Sequence, residues 1–342
     1  MTLRRARRAR KESVVKTPHL RATRDVAENL YAAHNRALIA LARRDPRIVS
    51  TYGDFGPGEV GQVFAKECPD RILDVGIAEG HLITSAAGLA GAGFIPFAHC
   101  HGIFGLGRAY NQIRQNVAYD LRNVKIILCN CGVIWGILGP SHQVIEDLAA
   151  LRAIPRLTIL SPADAVSSEK ATYAAAEHAG PVIMRLPSTG DSFPALYTSD
   201  LEYEIGKAIC VRDGSDATIL ATGILVSDAL TAAEALEGAG LSVRVLDVHT
   251  IKPLDEAAVL QAARETGTLV TVEDGTVLGG LGGAVAELTA ERFPVFVRRV
   301  GVKDRFGESG KPAEVKEVCE LTVPFIRQAV EEAVEAKVKR GK

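Results

Sequence analysis

The stretch DVGIAEGHLITSAAGLAGAGFIPFAHCH occupies residues 74–101. It leaves one apolar run at 72–75 and continues through Ala, Gly, Leu and Ile over 79–92. It then enters a second apolar run at 94–98. The two runs have the size of strands and the segment between them the size of a helix. Neither run alternates with polar residues, so both read as strands covered on two faces. That is the signature of a parallel sheet in a strand–helix–strand unit. One full-length acid, Glu79, stands at the junction of the first strand and the helix. A carboxylate is costly in an apolar site unless it is protonated or paired. Glu79 therefore either caps free N–H groups at the helix start or performs chemistry.

The same alternation extends in both directions. Helical periodicity covers 26–43. Further strands are expected at 48–52, 124–129, 157–160 and 182–186, and further helices at 103–121, 144–153 and 163–179. PSTGDSFPALYTSD, residues 187–200, has the composition of a linker. A second series follows, with strands at 217–221, 243–248, 269–272 and 295–300. Its helices are expected at 226–238, 255–265, 283–292 and 322–337. The fold class is α/β, with two doubly wound parallel-sheet domains, the second smaller. The expected division is a disordered basic tail over 1–22, a first domain over 23–190, a linker over 191–203 and a second domain over 204–340.

Composition agrees with two packed domains. The chain has 342 residues, 47% of them hydrophobic, and a net charge of −1. No global field favours nucleic acid or an anionic membrane. LRRARRARK, residues 3–11, is basic, but no apolar segment follows it as in a secretory signal. No apolar run is long enough to span a bilayer. The six cysteines have no framework spacing, so reduced thiols and a cytoplasmic location are expected.

The segment around Glu79 resembles the one that carries the catalytic glutamate of transketolases and 1-deoxyxylulose-phosphate synthases. Further similar segments come in the family's order: GRAYNQIR at 107–114, GPSHQVIEDLAALRAIPRLTILSPADA at 139–165 and GPVIMRL at 180–186. TIKPLD at 250–255, VEDGTVLGGLGGAVAE at 272–287 and DRFGESG at 304–310 continue the series. The resemblance covers roughly residues 25–335. It implies the pyrimidine-binding and C-terminal domains of a thiamine-diphosphate enzyme of the transketolase family. Glu79 would hydrogen-bond N1′ of the aminopyrimidine, and the cofactor would act as electron sink for a two-carbon unit taken from a ketose. An apolar setting for Glu79 would favour the neutral acid.

Family members hold the diphosphate through a motif that begins Gly-Asp-Gly and ends in Asn, whose oxygens surround Mg²⁺. This sequence has no Gly-Asp-Gly triplet and no Asn after Asn130. The resemblance therefore implies a split enzyme. An N-terminal, diphosphate-binding transketolase subunit would supply Mg²⁺ binding, and the working form would be an α2β2 heterotetramer. No metal site is expected in this chain. In the run His99–Cys100–His101 the two imidazoles share one strand face and no further ligand is evident.

The resemblance assigns other positions. Phe104, His101 and Ile77 would contact the cofactor, with Phe104 against the pyrimidine ring. His142 would meet the substrate's hydroxyl groups as donor or proton shuttle. Arg185 would bind the distal phosphate of the sugar. Asn130 stands where many relatives have a pocket histidine, and Leu138 replaces an Asp that meets a sugar hydroxyl. Those two departures point to a less hydroxylated sugar in a specialised biosynthetic pathway. GGLGG at 279–283 lacks the context of a dinucleotide loop and reads as close helix packing. Two rival readings are the β subunit of a 2-oxo acid dehydrogenase E1 and a non-catalytic subunit descended from the family. GRAYNQIR and DRFGESG fit transketolases better than the first. Retention of Glu79 and Phe104 argues against the second.

Overall fold

The computed structural model describes residues 19–53 and 59–340. Residues 1–18, most of the expected basic tail, lie outside them. The first unit begins with β1 (Ala27–Glu28) and α1 (Leu30–Arg44), followed by β2 (Ile48–Tyr52), α2 (Glu59–Glu67) and β3 (Ile72–Asp74). It continues through α3 (Glu79–Gly91), β4 (Ile95–His101), α4 (Gly102–Gln112) and β5 (Lys125–Cys129). Then come α5 (Asp147–Arg152), β6 (Thr158–Leu160), α6 (Ala165–Glu177) and β7 (Val182–Arg185). After the short β8 (Phe193–Pro194), the second unit comprises β9 (Ile209–Arg212), β10 (Ala217–Ala221), α7 (Leu225–Gly238), β11 (Val243–Asp247) and β12 (Thr250–Lys252). It ends with α8 (Glu256–Thr266), β13 (Thr268–Thr276), α9 (Leu281–Arg292), β14 (Phe296–Val302), α10 (Pro312–Val318) and α11 (Val323–Arg340).

A seven-stranded sheet runs β12-β6-β7-β5-β4-β2-β3. All its pairs are parallel except β12 with β6. Because side chains alternate across a strand, β4 and β5 present two apolar faces. Ala98, Cys100, Ile126 and Leu128 share a core with Leu82 and Ile83 of α3 and Leu106 and Ala109 of α4. Phe97, Ile127 and Cys129 share another with Leu30 and Leu38 of α1 and Ala171 and Ala175 of α6. The five-stranded sheet of the second unit runs β14-β13-β10-β11-β9, parallel except for β9. The expected parallel sheets are thus present, each closed at one edge by an antiparallel strand that periodicity did not reveal. Strand β12 is contributed to the first sheet by the second unit's part of the chain.

Three expectations need correction. Strand β3, expected to be buried, is the edge of its sheet, and Leu73 and Asp74 are exposed. An apolar run cannot reveal whether another strand lies beyond it. The segment read as a linker is packed. Leu196 and Tyr197 are buried, their N–H groups donate to Asp164 Oδ2 at 2.8 Å each, and Tyr197 Oη donates to Asp247 Oδ2 at 2.7 Å. Residues 19–22, expected to belong to the tail, lie against this segment. Leu20 bridges Tyr197, and Arg21 Nε donates to the Tyr197 carbonyl at 3.1 Å.

Candidate active site

In a parallel sheet the carboxyl ends of the strands lie on one side, and the loops there converge. Glu79 follows β3, His101 ends β4, Phe104 lies in the first turn of α4 and Asn130 follows β5. Trp135 and His142 belong to the loop after β5, which includes a 3₁₀ turn, Gly136–Ser141. Neighbouring parallel strands therefore bring together residues that are far apart in sequence.

Glu79 is 4% exposed and opens α3. It does not cap the helix: Ala78 holds the cap position without a side-chain bond, and no helix N–H group donates to the Glu79 carboxylate among the described residues. The Glu79 carboxylate pairs with Arg108, whose Nη1 donates to Oε2 at 3.4 Å. The Arg108 side chain is 55% exposed, and its guanidinium lies 4.6 Å from the centroid of the Phe104 ring. The setting of Glu79 is thus not wholly apolar, as the sequence had suggested. A cation from α4 links it to the Phe104 face.

Beside this pair stands a wall of rings. His101 stacks on Trp135 with centroids 4.8 Å apart and meets Phe104 edge-on at 5.7 Å. His142 meets Phe104 at 5.1 Å and Trp135 at 5.7 Å, both edge-on. Ser141 Oγ lies 2.9 Å from His142 Nδ1. Asn130 adopts a left-handed backbone, φ +57°, and is buried. Its Oδ1 accepts the Thr189 N–H at 3.0 Å, so its amide nitrogen faces His101 Nδ1 at 3.1 Å. An amide N–H only donates, so His101 Nδ1 accepts, and the neutral ring carries its proton on Nε2. Burial, then the neighbouring His142, lowers the His101 pKa to about 4.

The structure gathers Glu79, His101, Phe104, Asn130 and His142. Ile77 is 70% exposed on the loop before α3, and Leu138 is 44% exposed on the 3₁₀ turn. The Asn130 side chain, expected to meet the substrate, is turned inward, bonded to Thr189 and His101. Arg185 is a correction. It is buried, its Nε donates to Asp147 Oδ2 at 2.6 Å, and its Nη2 donates to the Asp274 carbonyl. A guanidinium engaged in this way is not presented to a sugar phosphate. Sequence reasoning missed Trp135, Arg108 and Thr189. Trp135 carried a usable signal, as the chain's one tryptophan, seven residues before His142. The GGLGG segment packs closely, as expected. Glu273 accepts the N–H groups of Leu281 and Gly282 at 2.7 and 2.8 Å, and a Cβ at Gly280 would meet its carboxylate.

Comparison with known proteins gives consistent matches along the chain. The family model described as the transketolase pyrimidine binding domain matches residues 29–189, and that of the transketolase C-terminal domain matches residues 206–326. The 6-deoxy-6-sulfo-D-fructose transketolase subunit of Clostridium sp. (strain MSTE9) is 42% identical over 302 residues, covering 88% of this chain and 92% of its own. The 1-deoxy-D-xylulose-5-phosphate synthase of Syntrophotalea carbinolica is 37% identical over 295 residues, and the match covers 86% of this chain but only 46% of that protein. A solved structure described as a split gene transketolase, inactive beta4 tetramer, superposes with a TM-score of 0.85 at 39% identity, covering 91% of this chain and 99% of its own.

Proposed function

The chain belongs to the transketolase family, and we propose that it is the C-terminal subunit of a split, thiamine-diphosphate-dependent transketolase. Its pyrimidine-binding domain spans residues 23–190 and its C-terminal domain residues 204–340. An N-terminal subunit completes the site and holds the diphosphate with its Mg²⁺, in an α2β2 assembly. The reaction moves a two-carbon ketol unit from a ketose to an aldose. The observation that carries this proposal is Glu79, a buried carboxylate at a helix start that is not used as a cap. Support for the split comes from the relative named as a subunit, of whose own length the match covers 92%.

When bound, thiamine diphosphate supplies the electron sink for the two-carbon unit. Glu79 would hydrogen-bond the pyrimidine N1′ and hold a proton there. Phe104, Ile77 and His101 are the side chains that would hold the pyrimidine ring. Asn130 fixes the His101 tautomer, so that Nε2–H is the donor His101 offers. His142 holds or moves a proton at a substrate hydroxyl.

With Arg185 engaged inside the protein and Leu138 in place of an acid, the sugar is a deoxy or otherwise modified ketose. The substrate in the name of the Clostridium relative, a deoxy sulfo sugar, supports this. The purified chain alone is expected to show no ketol transfer. The N-terminal subunit, thiamine diphosphate and Mg²⁺ together should restore it. Full turnover by the chain alone would overturn the proposal.

A further inference from the structure

The side chains around the candidate site all come from the first unit, but the second unit contacts the loop that carries two of them. Asp274, in β13, is buried. Its Oδ1 accepts the Val133 N–H at 3.0 Å. The neighbouring Gly132 has φ +79°, and a Cβ there would stand 1.9 Å from Asp274 Oδ2. Only a residue without a side chain fits beneath that carboxylate. Two residues on from Asp274, the Thr276 N–H donates to the Ile145 carbonyl at 2.7 Å. From the loop itself, Gln143 Nε2 donates to the Val133 carbonyl at 3.1 Å and to the Glu308 carbonyl at 3.0 Å. Asp274 is in turn held by Arg185, which donates to its backbone oxygen and is anchored on Asp147. Trp135 follows Val133 by two residues, and His142 lies further along the same loop.

We propose that Asp274 is a positioning residue for the site in the other unit. By accepting the Val133 amide it sets the loop that stacks Trp135 on His101 and brings His142 to Phe104. A buried carboxylate is a stronger acceptor than a neutral one, and among the described residues it is the one side chain of the second unit bonded to the backbone at the start of this loop. The competing account is that the loop holds itself, through the Gly132 N–H bond to the Val144 carbonyl at 2.8 Å, and that Asp274 only joins the two units. The proposal rests on this geometry and not on the activity assigned to the site.

Trp135 is the chain's one tryptophan, so its emission and the near-ultraviolet circular dichroism of its indole report the loop directly. Both are read on the full chain, with far-ultraviolet circular dichroism as the control for folding. Asp274→Asn keeps an oxygen acceptor and should retain the wild-type signature. Asp274→Ala should shift Trp135 emission to the red and lose the indole band while the far-ultraviolet spectrum stays native. A folded Asp274→Ala chain with the wild-type signature would overturn the proposal. So would Asp274→Asn changing the signature as much as Asp274→Ala. If Asp274→Ala does not fold, Gly132→Ala provides the reading, since the added Cβ pushes the loop off an intact carboxylate. It should give the same red shift, and an unchanged signature there would equally overturn the proposal.

Discussion

Arg185→Met separates two roles for a residue that sequence reasoning placed at the substrate. In the structure its guanidinium bonds to Asp147 Oδ2 and to the Asp274 carbonyl, with all three residues buried. Methionine preserves most of the side-chain volume but leaves the Asp147 carboxylate uncompensated in the interior. Breaking a buried pair by removing one partner costs about 3–5 kcal/mol, most of it the desolvation of the charge left behind. At about 2.1 cal/mol/K per residue, the unfolding entropy of a 342-residue chain is roughly 0.7 kcal/mol/K. If both units unfold together, the expected loss of Tm is therefore about 4–7 °C. Adding Asp147→Asn to Arg185→Met removes the stranded charge and should recover part of that loss, a coupling that a double-mutant cycle measures. The assay is calorimetry of the chain alone, followed by kinetics of the assembled enzyme. An Arg185→Met chain with wild-type Tm and only a raised KM for phosphorylated sugars would refute the structural role and restore the substrate role.

Glu79→Gln should cut ketol transfer by the assembled enzyme by about 10²–10⁴-fold. Its Tm should barely move, because the pair with Arg108 is open to solvent on the arginine side; retained activity would remove Glu79 from the chemistry. Stability should fall on mild acidification. His99 is fully buried against His34 at 3.0 Å and Tyr52, and burial lowers its pKa from 6.5 to about 4. The unfolded chain therefore takes up that proton below pH 6.5 while the folded one does not until about pH 4, and the loss from this site reaches about 1.4 kcal/mol by pH 5.5. His99→Phe should flatten the curve of Tm against pH between pH 6.5 and 4, and an unaltered slope would rule His99 out as its source. Leu138→Asp should move the ratio of kcat/KM towards a fully hydroxylated ketose over its deoxy analogue, by roughly 1–3 kcal/mol if one charge-assisted bond forms. A ratio that does not move would show that residue 138 does not face the sugar.

The features legible in the unfolded chain are those that rest on local periodicity. Runs without polar alternation made a parallel sheet, because strands covered on both faces carry apolar residues on both of them. Glu79 was identifiable as the acid at a strand-to-helix junction, and the ordered motifs from 107 to 310 carried the family. Folding alone decided the partners of the polar groups. Arg185 was identifiable as an arginine at the end of a strand, but Asp147 lies 38 residues before it and Asp274 89 residues after it. The same holds for Asn130, turned onto His101 by Thr189 from 59 residues away, and for Thr250–Lys252, which leaves its own unit to close the other sheet. Side-chain alternation follows from the covalent geometry of a strand and can be read a few residues at a time. A buried charge or amide is satisfied by whatever the fold brings within about 3 Å, and that is set by how strands and helices pack across the whole chain.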